Sequence, residues 1–254
     1  MKKIFFAIAI VLLCSNTILA QQFIDKAVIE YEVKTNIKKT MSNDRWGEML
    51  KENLPEFKTA YYDFTFADNK SIYKFSHWDP TAKMPEWMKS GEEDNIWYFD
   101  FSTAQYNKQK SIAGSKFIIT DSIPRIKWRI TNENREIAGF NCRKAVGKIF
   151  DSVYVFAFYT DEITIPGGPC SISGLPGMIL GITIPRMYSS YIATKVMVNG
   201  VNVGEIKPVT VKKPYTTASF KTYIEDKSKD WYRWGDDEAE NNRLKNLSLW
   251  GFYL

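Results

Sequence analysis

Histidine is almost missing from this 254-residue chain, which carries it only at position 77. A histidine-rich metal site is therefore excluded. A Ser-His or Cys-His catalytic pair would have to assemble around His77 from across the fold, and no local signature supports one. Cysteine is scarce, with three residues in all. No apolar run approaches the ~20 residues that cross a bilayer as a helix. An excess of one charge is lacking too: 34 basic residues stand against 29 acidic ones, scattered along the chain, which leaves no electrostatic footprint for nucleic acid. Phosphate-loop and calcium-loop spacings are absent. Ser171 and Ser173 lie among glycines, but neither has the glycine two residues earlier that a nucleophile elbow requires.

What is present first suggests an address. Lys2 and Lys3, an apolar run from Ile4 to Leu13, and a close at Ile18-Leu19-Ala20 form the three-part pattern of a secretory signal over residues 1–20. Lipidation at Cys14 is disfavoured, because Leu13 stands where a small residue would be needed. The remainder, 21–254, is expected to be one exported domain, in the periplasm, associated with the outer membrane, or extracellular. Removing the two signal lysines lowers the net charge from +5 to +3. Cys142 and Cys170 remain, and in an oxidising compartment they are expected to bridge. Closing that loop would stabilise the fold by ~3.5 kcal/mol. A free thiol or a metal pair is the alternative.

The aromatic share is 15%, much of it in alternating runs that suit pleated strands. Ile29, Tyr31 and Val33 alternate with charged residues as in a half-buried strand. Met41 to Asn53 places Trp46, Met49 and Leu50 at helical spacing before Pro55 stops the run. Two alternating runs, Tyr62 to Phe66 and Ile72 to Phe75, flank Asp68-Asn69 and predict a hairpin. Residues 79–94 read as a mobile loop or flap. Further strands are expected at 96–101, 105–108, 117–120, 126–131, 142–150 and 153–160. A second hairpin is expected at 188–206 around Asn199-Gly200. Helical patterns follow over Phe220 to Ile224 and over 236–246, and 249–254 reads as an edge strand or plug. The predicted fold is mainly β within the α+β class: a curved antiparallel sheet or partial β-barrel with flanking helices. Along 150–159, Tyr154, Phe156 and Phe158 share one face and Val153, Val155 and Ala157 the other, so both faces are apolar and both need cover.

The segment from Ile163 to Leu180 holds three prolines and four glycines among apolar residues, a specified backbone course that leads into a buried strand. It includes Gly168-Pro169 and the run Gly174-Leu175-Pro176-Gly177-Met178-Ile179. With Trp128-Arg-Ile-Thr131, Glu133, Ile137, Gly139-Phe140, Cys142-Arg-Lys-Ala145, Tyr159-Thr160 and Tyr191-Ile-Ala-Thr-Lys195, this run resembles the GLPGLI family of bacterial secreted proteins. Met178 departs from the namesake leucine, and Gly181 stands where an acidic residue is common. The resemblance implies export, a β-rich domain and a Gram-negative envelope, and it carries no reaction, cofactor or catalytic residue. The motif itself reads either as a tight passage between strands or as a binding element.

The acidic clusters, Glu92-Glu93-Asp94, Asp161-Glu162 and Asp236-Asp237-Glu238, read as solvated loops and a helix start. No catalytic residue, metal or cofactor is expected. The leading expectation is a non-enzymatic binding protein whose apolar groove, at Tyr154, Phe156 and Phe158 beside the Gly/Pro motif, takes a lipid-like or other apolar ligand. The alternatives are an accessory interaction protein of an outer-membrane transporter or secretion system, touching its partner through the 79–94 flap, and a hydrolase with an unrecognised site.

Overall fold

The computed structural model describes residues 23–89, 91–229, 231 and 237–254; the expected signal at 1–20, with Cys14, lies outside the described residues. Six strands run outward from the middle of one sheet: β1 (Ala27–Asn36), β2 (Phe57–Ala67), β3 (Lys70–Trp78), β4 (Ile96–Asp100), β5 (Gln105–Ile112) and β6 (Ser115–Ser122). Five more return from the opposite edge: β7 (Arg129–Ile137), β8 (Phe140–Ile149), β9 (Val153–Thr160), β10 (Met178–Ile184) and β11 (Ser189–Met197). The order is β6-β5-β4-β3-β2-β1-β11-β10-β9-β8-β7, antiparallel throughout and not closed. Four helices accompany it: α1 (Ile37–Thr40), α2 (Arg45–Asn53), α3 (Thr217–Lys227) and α4 (Glu238–Tyr253). The predicted mainly β fold with a curved sheet and flanking helices is thus observed. Among the described residues, no helix is long and apolar enough to cross a membrane.

Chain connectivity forces the curvature. Strands β6 and β7 are the two edges, and a flat eleven-stranded sheet would hold its edges about 48 Å apart at normal strand spacing. The segment from Ser122 to Arg129 reaches about 25 Å at full extension. The sheet must therefore curl into a bowl for its edges to be joined. The joining segment packs as it crosses. Ile126 and Trp128 lie over Gly147 of β8 so closely that a Cβ there would come within 2.7 Å of the indole. The Trp128 indole N–H donates to the Ser173 carbonyl at 3.0 Å.

The concave face is the core. Ile29, Tyr31, Phe64, Phe66, Tyr73, Trp97, Phe99, Val153, Val155 and Ala157 are buried there. The Gly/Pro segment 161–177 folds into this bowl as its filling. Ile163, Ile165, Ile172 and Leu175 are buried, while Gly174 and Pro176 reach the surface. Its own backbone bonds hold it, Met178 N–H to the Ile163 carbonyl and Ile179 N–H to the Gly167 carbonyl, both 3.0 Å. The buried Tyr31 hydroxyl ties it to β1 by donating to the Ile179 carbonyl at 2.6 Å. Two glycines are required by contact. A Cβ on Gly167 would stand 2.7 Å from the Phe64 ring, and one on Gly177, at φ +142°, would stand 2.0 Å from the Thr160 carbonyl oxygen.

Three local expectations are corrected. Asn199-Gly200 makes no hairpin: β11 ends at Met197, and the chain passes through a 3-10 turn at Val203–Glu205. Ile206 is thereby laid onto Ala67, Ile72 and Tyr98 on the back of the sheet. The tail is helix rather than strand, because Asp237 caps it, accepting from the Ala239 and Glu240 N–H groups at 3.0 and 3.1 Å. Cys142 and Cys170 form no disulfide; both are buried free thiols. Cys142 sits in β8 and donates to the Phe140 carbonyl at 3.5 Å. Cys170 takes a left-handed conformation, φ +54°, inside the Gly/Pro segment, where it lines a cavity alongside Tyr191. The sequence supports a bridge only through compartment and count, and neither fixes where the thiols point.

Two outcomes test this packing. Gly177→Ala should destabilise the protein by about 3 kcal/mol or more, from a backbone clash plus strain. Gly200→Ala, at φ +75° with nothing within 4 Å, should cost only about 1 kcal/mol; urea unfolding distinguishes them. A reductant should leave the thermal midpoint unchanged, and a thiol reagent should label Cys142 and Cys170 only in denaturant, as read by intact mass.

Candidate functional site

The bowl is not filled completely. A cavity of about 800 Å³ opens between the sheet, α2 and α4, within the range of small-ligand sites. Its mouth carries Met41, Asp44, Trp46 and Leu50 on one side and Asp237, Glu240, Leu244 and Leu247 on the other. Trp46 is 73% exposed. The two sides are clamped together: Arg243 donates to the Lys39 carbonyl at 2.9 Å and the Met41 carbonyl at 2.7 Å while pairing with Glu240 at 2.7 Å.

The deep end is aromatic and charged. Tyr62 stacks on Tyr73, with centroids 5.0 Å apart, and Tyr73 meets Trp97 at 5.4 Å. Glu92 enters from the 79–94 loop. Its carboxylate accepts from Lys58 Nζ at 3.0 Å and from the Tyr62 hydroxyl at 2.6 Å. The remaining acids of that cluster diverge, Glu93 to the Trp78 indole and Asp94 to Lys116, so an expected solvated run is divided among three anchors.

Strand β5 supplies what sequence reading missed. Tyr106, Lys108, Lys110 and Ile112 alternate, and with Tyr106 and Ile112 buried the strand period turns both lysines inward. Lys110 lines the cavity, its ammonium 5.0 Å from the Trp97 ring centroid. Lys108 is buried behind it and donates to the Tyr253 carbonyl at 2.8 Å and the Phe252 carbonyl at 3.4 Å, meeting the negative end of α4. The Leu254 main-chain oxygen accepts from the Trp97 indole at 2.8 Å and from Ser171 at 2.7 Å. The alternation aromatic-lysine-lysine-aliphatic was the available signal, and it reads equally well as a strand with an exposed face.

Burial sets the titration behaviour. It pushes Lys108 down to about 7 and lowers Lys110 against the opposing pull of Glu92. It raises Tyr73 and Tyr191 well above their ordinary values and Cys170 to about 12, so that thiol is no nucleophile at neutral pH. Burial alone would also raise Glu92, but Lys58, Lys110 and the Tyr62 hydroxyl outweigh it and hold the carboxyl at about 2.

The remaining candidates lie elsewhere. His77 is exposed and stacked on Tyr61 at 4.6 Å. Tyr154 is exposed, Phe156 sits under the Lys144 ammonium at 5.4 Å, and Phe158 is buried beneath the Arg135 guanidinium at 4.7 Å. Cations of β7 and β8 cover Phe158 and Phe156 while Tyr154 stays exposed, and none of the three lines the cavity. Within the motif, Gly168 and Pro169 are buried with Leu175, Gly177, Met178 and Ile179. Among the described residues, no three of His, Cys, Asp and Glu converge as a metal-holding group.

Glu92 gives a pH prediction. Its folded value lies below the ordinary 4.5, so its stabilisation is complete above about pH 4.5 and is lost as pH falls toward about 2. Glu92→Gln should remove that part of the acid slope, as measured by chemical unfolding at stepped pH.

Residues 77–221 match the family described as N-glycanase peptide, N-terminal domain. The solved structure of PNGF-II in a P21 space group aligns at TM-score 0.52 and 14% identity, over 79% of this chain and 33% of that one. PNGF-II in a C2 space group aligns at TM-score 0.49 and 13% identity, over 75% and 30%. The chain thus spans about a third of the length of the solved structures it matches. Among curated proteins, no match reaches significance. The family match corrects two expectations, the resemblance to the GLPGLI family and the leading reading as a binder of lipid-like or apolar ligands. The short Gly/Pro run that suggested the former is demanded by interior packing, and of the aromatic face that suggested the latter, Phe156 and Phe158 lie under cations. With 77–221 matched across both halves of the sheet, the chain belongs to the N-glycanase peptide N-terminal domain family.

Proposed function

We propose that this chain is a non-catalytic recognition module for glycans or glycopeptides, serving N-glycan processing, with the cavity as its binding site. The observation that carries the reading is the cavity's composition: aromatic walls at Tyr62, Trp97 and Tyr191, a charged and hydroxylated floor, and an exposed Trp46 at the mouth. Sugar rings present apolar faces ringed by hydroxyls, and such walls and floor meet both. This reading keeps a non-catalytic, accessory role but replaces the transporter or secretion-system partner expected as an alternative with a glycan-bearing substrate. The family name supports the substrate class.

A non-catalytic role is supported by how the carboxylates are used. Asp44 caps α2, Asp237 caps α4, Glu240 is paired with Arg243, and Glu92 is held ionised by Lys58 and Tyr62. Acid and base catalysis draws on carboxyls free to exchange protons with a substrate, and each of these four is engaged in a cap, an ion pair or a hydrogen bond of the fold. The export pattern of residues 1–20 supports an encounter outside the cytoplasm.

Isothermal titration with an N-linked glycopeptide, and with the same peptide lacking its glycan, tests the proposal. Only the glycosylated form should bind, and mass spectrometry should show no glycan release. Trp46→Ala should weaken binding about tenfold through lost aromatic contact with the melting temperature unchanged. Equal binding of the bare peptide would overturn the reading.

A further inference from the structure

We infer that the cavity floor is an anchor for a carboxylate, with the Lys110 ammonium and the Tyr73 hydroxyl as its two arms, and that the glycan it selects carries an acidic sugar. The inference rests on the glycan-binding reading and adds the charge of the ligand.

The first observation is a count of charge. Among the described side chains, Glu92 is the carboxylate at the deep end, and Lys58 already pairs with it at 3.0 Å. Tyr62 occupies its other oxygen at 2.6 Å, so the carboxylate is satisfied without Lys110. The Lys110 ammonium helps hold Glu92 ionised through space but makes no ion pair or hydrogen bond with it, and it rests near the Trp97 face at 5.0 Å. A ring face satisfies part of a cation's field but accepts none of its three hydrogen bonds in full. Lys108 adds little to this surplus, because burial pushes it down to about 7 and its amine is turned to the α4 carbonyls.

The second observation is independent of charge. Tyr73 is fully buried, lines the same cavity, and its hydroxyl has no hydrogen-bond partner. A buried hydroxyl without a partner costs stability, and each such group calls for an account. An ammonium with open donors and an orphan phenol on one aromatic wall match the two oxygens of a carboxylate, which takes charge-assisted bonds from both. A neutral sugar would leave the surplus cation uncompensated in a site of low dielectric.

The test uses the full chain and two probes: an N-linked glycopeptide ending in sialic acid, and the same glycopeptide trimmed of that sugar. By titration calorimetry the acidic form should bind about tenfold tighter, the worth of one hydrogen bond to a charged group. Lys110→Met should erase the difference, and raising the salt should shrink it. Tyr73→Phe should reduce the difference while leaving the melting temperature unchanged or higher, because its hydroxyl bonds nothing in the free protein; this variant serves also if Lys110→Met folds poorly. Equal affinity for both probes would overturn the anchor and leave the glycan reading standing. Binding of neither probe would overturn both.

Discussion

A short tether between the two edge strands is the constraint on which the rest of this molecule depends. Six residues, 123–128, join strands that a flat sheet would hold far apart, so the sheet has to curl, and a curled sheet has an inside. That inside is wider than side chains alone fill. The Gly/Pro segment occupies much of it, and its glycines follow from the fit: Gly167 lies against Phe64 and Gly177 against the Thr160 carbonyl. Proline and glycine here are the means by which backbone, rather than side chain, packs a core.

The cavity is the part of the inside left over. One wall is sheet, and the opposite wall is α2 and α4, with Arg243 of α4 bonded to the Lys39 and Met41 carbonyls at the end of α1. Because β5 passes beneath, two lysines enter an aromatic interior. Each is tolerated for a different reason: Lys108 by carbonyls at a helix end, Lys110 by a ring and a distant carboxylate. The site is polar because the strand period was kept through charged residues, at a cost in desolvation that a purely structural strand would avoid.

Much of the fold was legible in the sequence, and the site was not. Alternation at Tyr62, Phe64 and Phe66 and the Asp68-Asn69 turn gave β2 and β3, with both turn residues at positive φ. Trp46, Met49 and Leu50 foretold α2, although their side chains are exposed rather than laid on the sheet. Failures arose where a local rule met a tertiary one. Asn199-Gly200 turns, as its composition says, but no strand follows, because Ile206 has a better place behind the sheet. Lys108 and Lys110 were invisible because a charged residue in an alternating run is ordinarily taken for the wet side. Glu92 was hidden in an acidic run whose members part company in space, and pairing at that range is not written in spacing.

The last turn of α4 has one more consequence. Leu254 borders the large cavity at the bowl's mouth and also a second one, of about 680 Å³, behind it among Lys108, Ile126, Phe220 and Tyr253. The helix end is thus a bulkhead between two chambers, sealed by the bonds it receives from Trp97, Ser171 and Lys108. A shift of that turn would therefore change the walls of both chambers at once, which couples the shape of the one to the shape of the other.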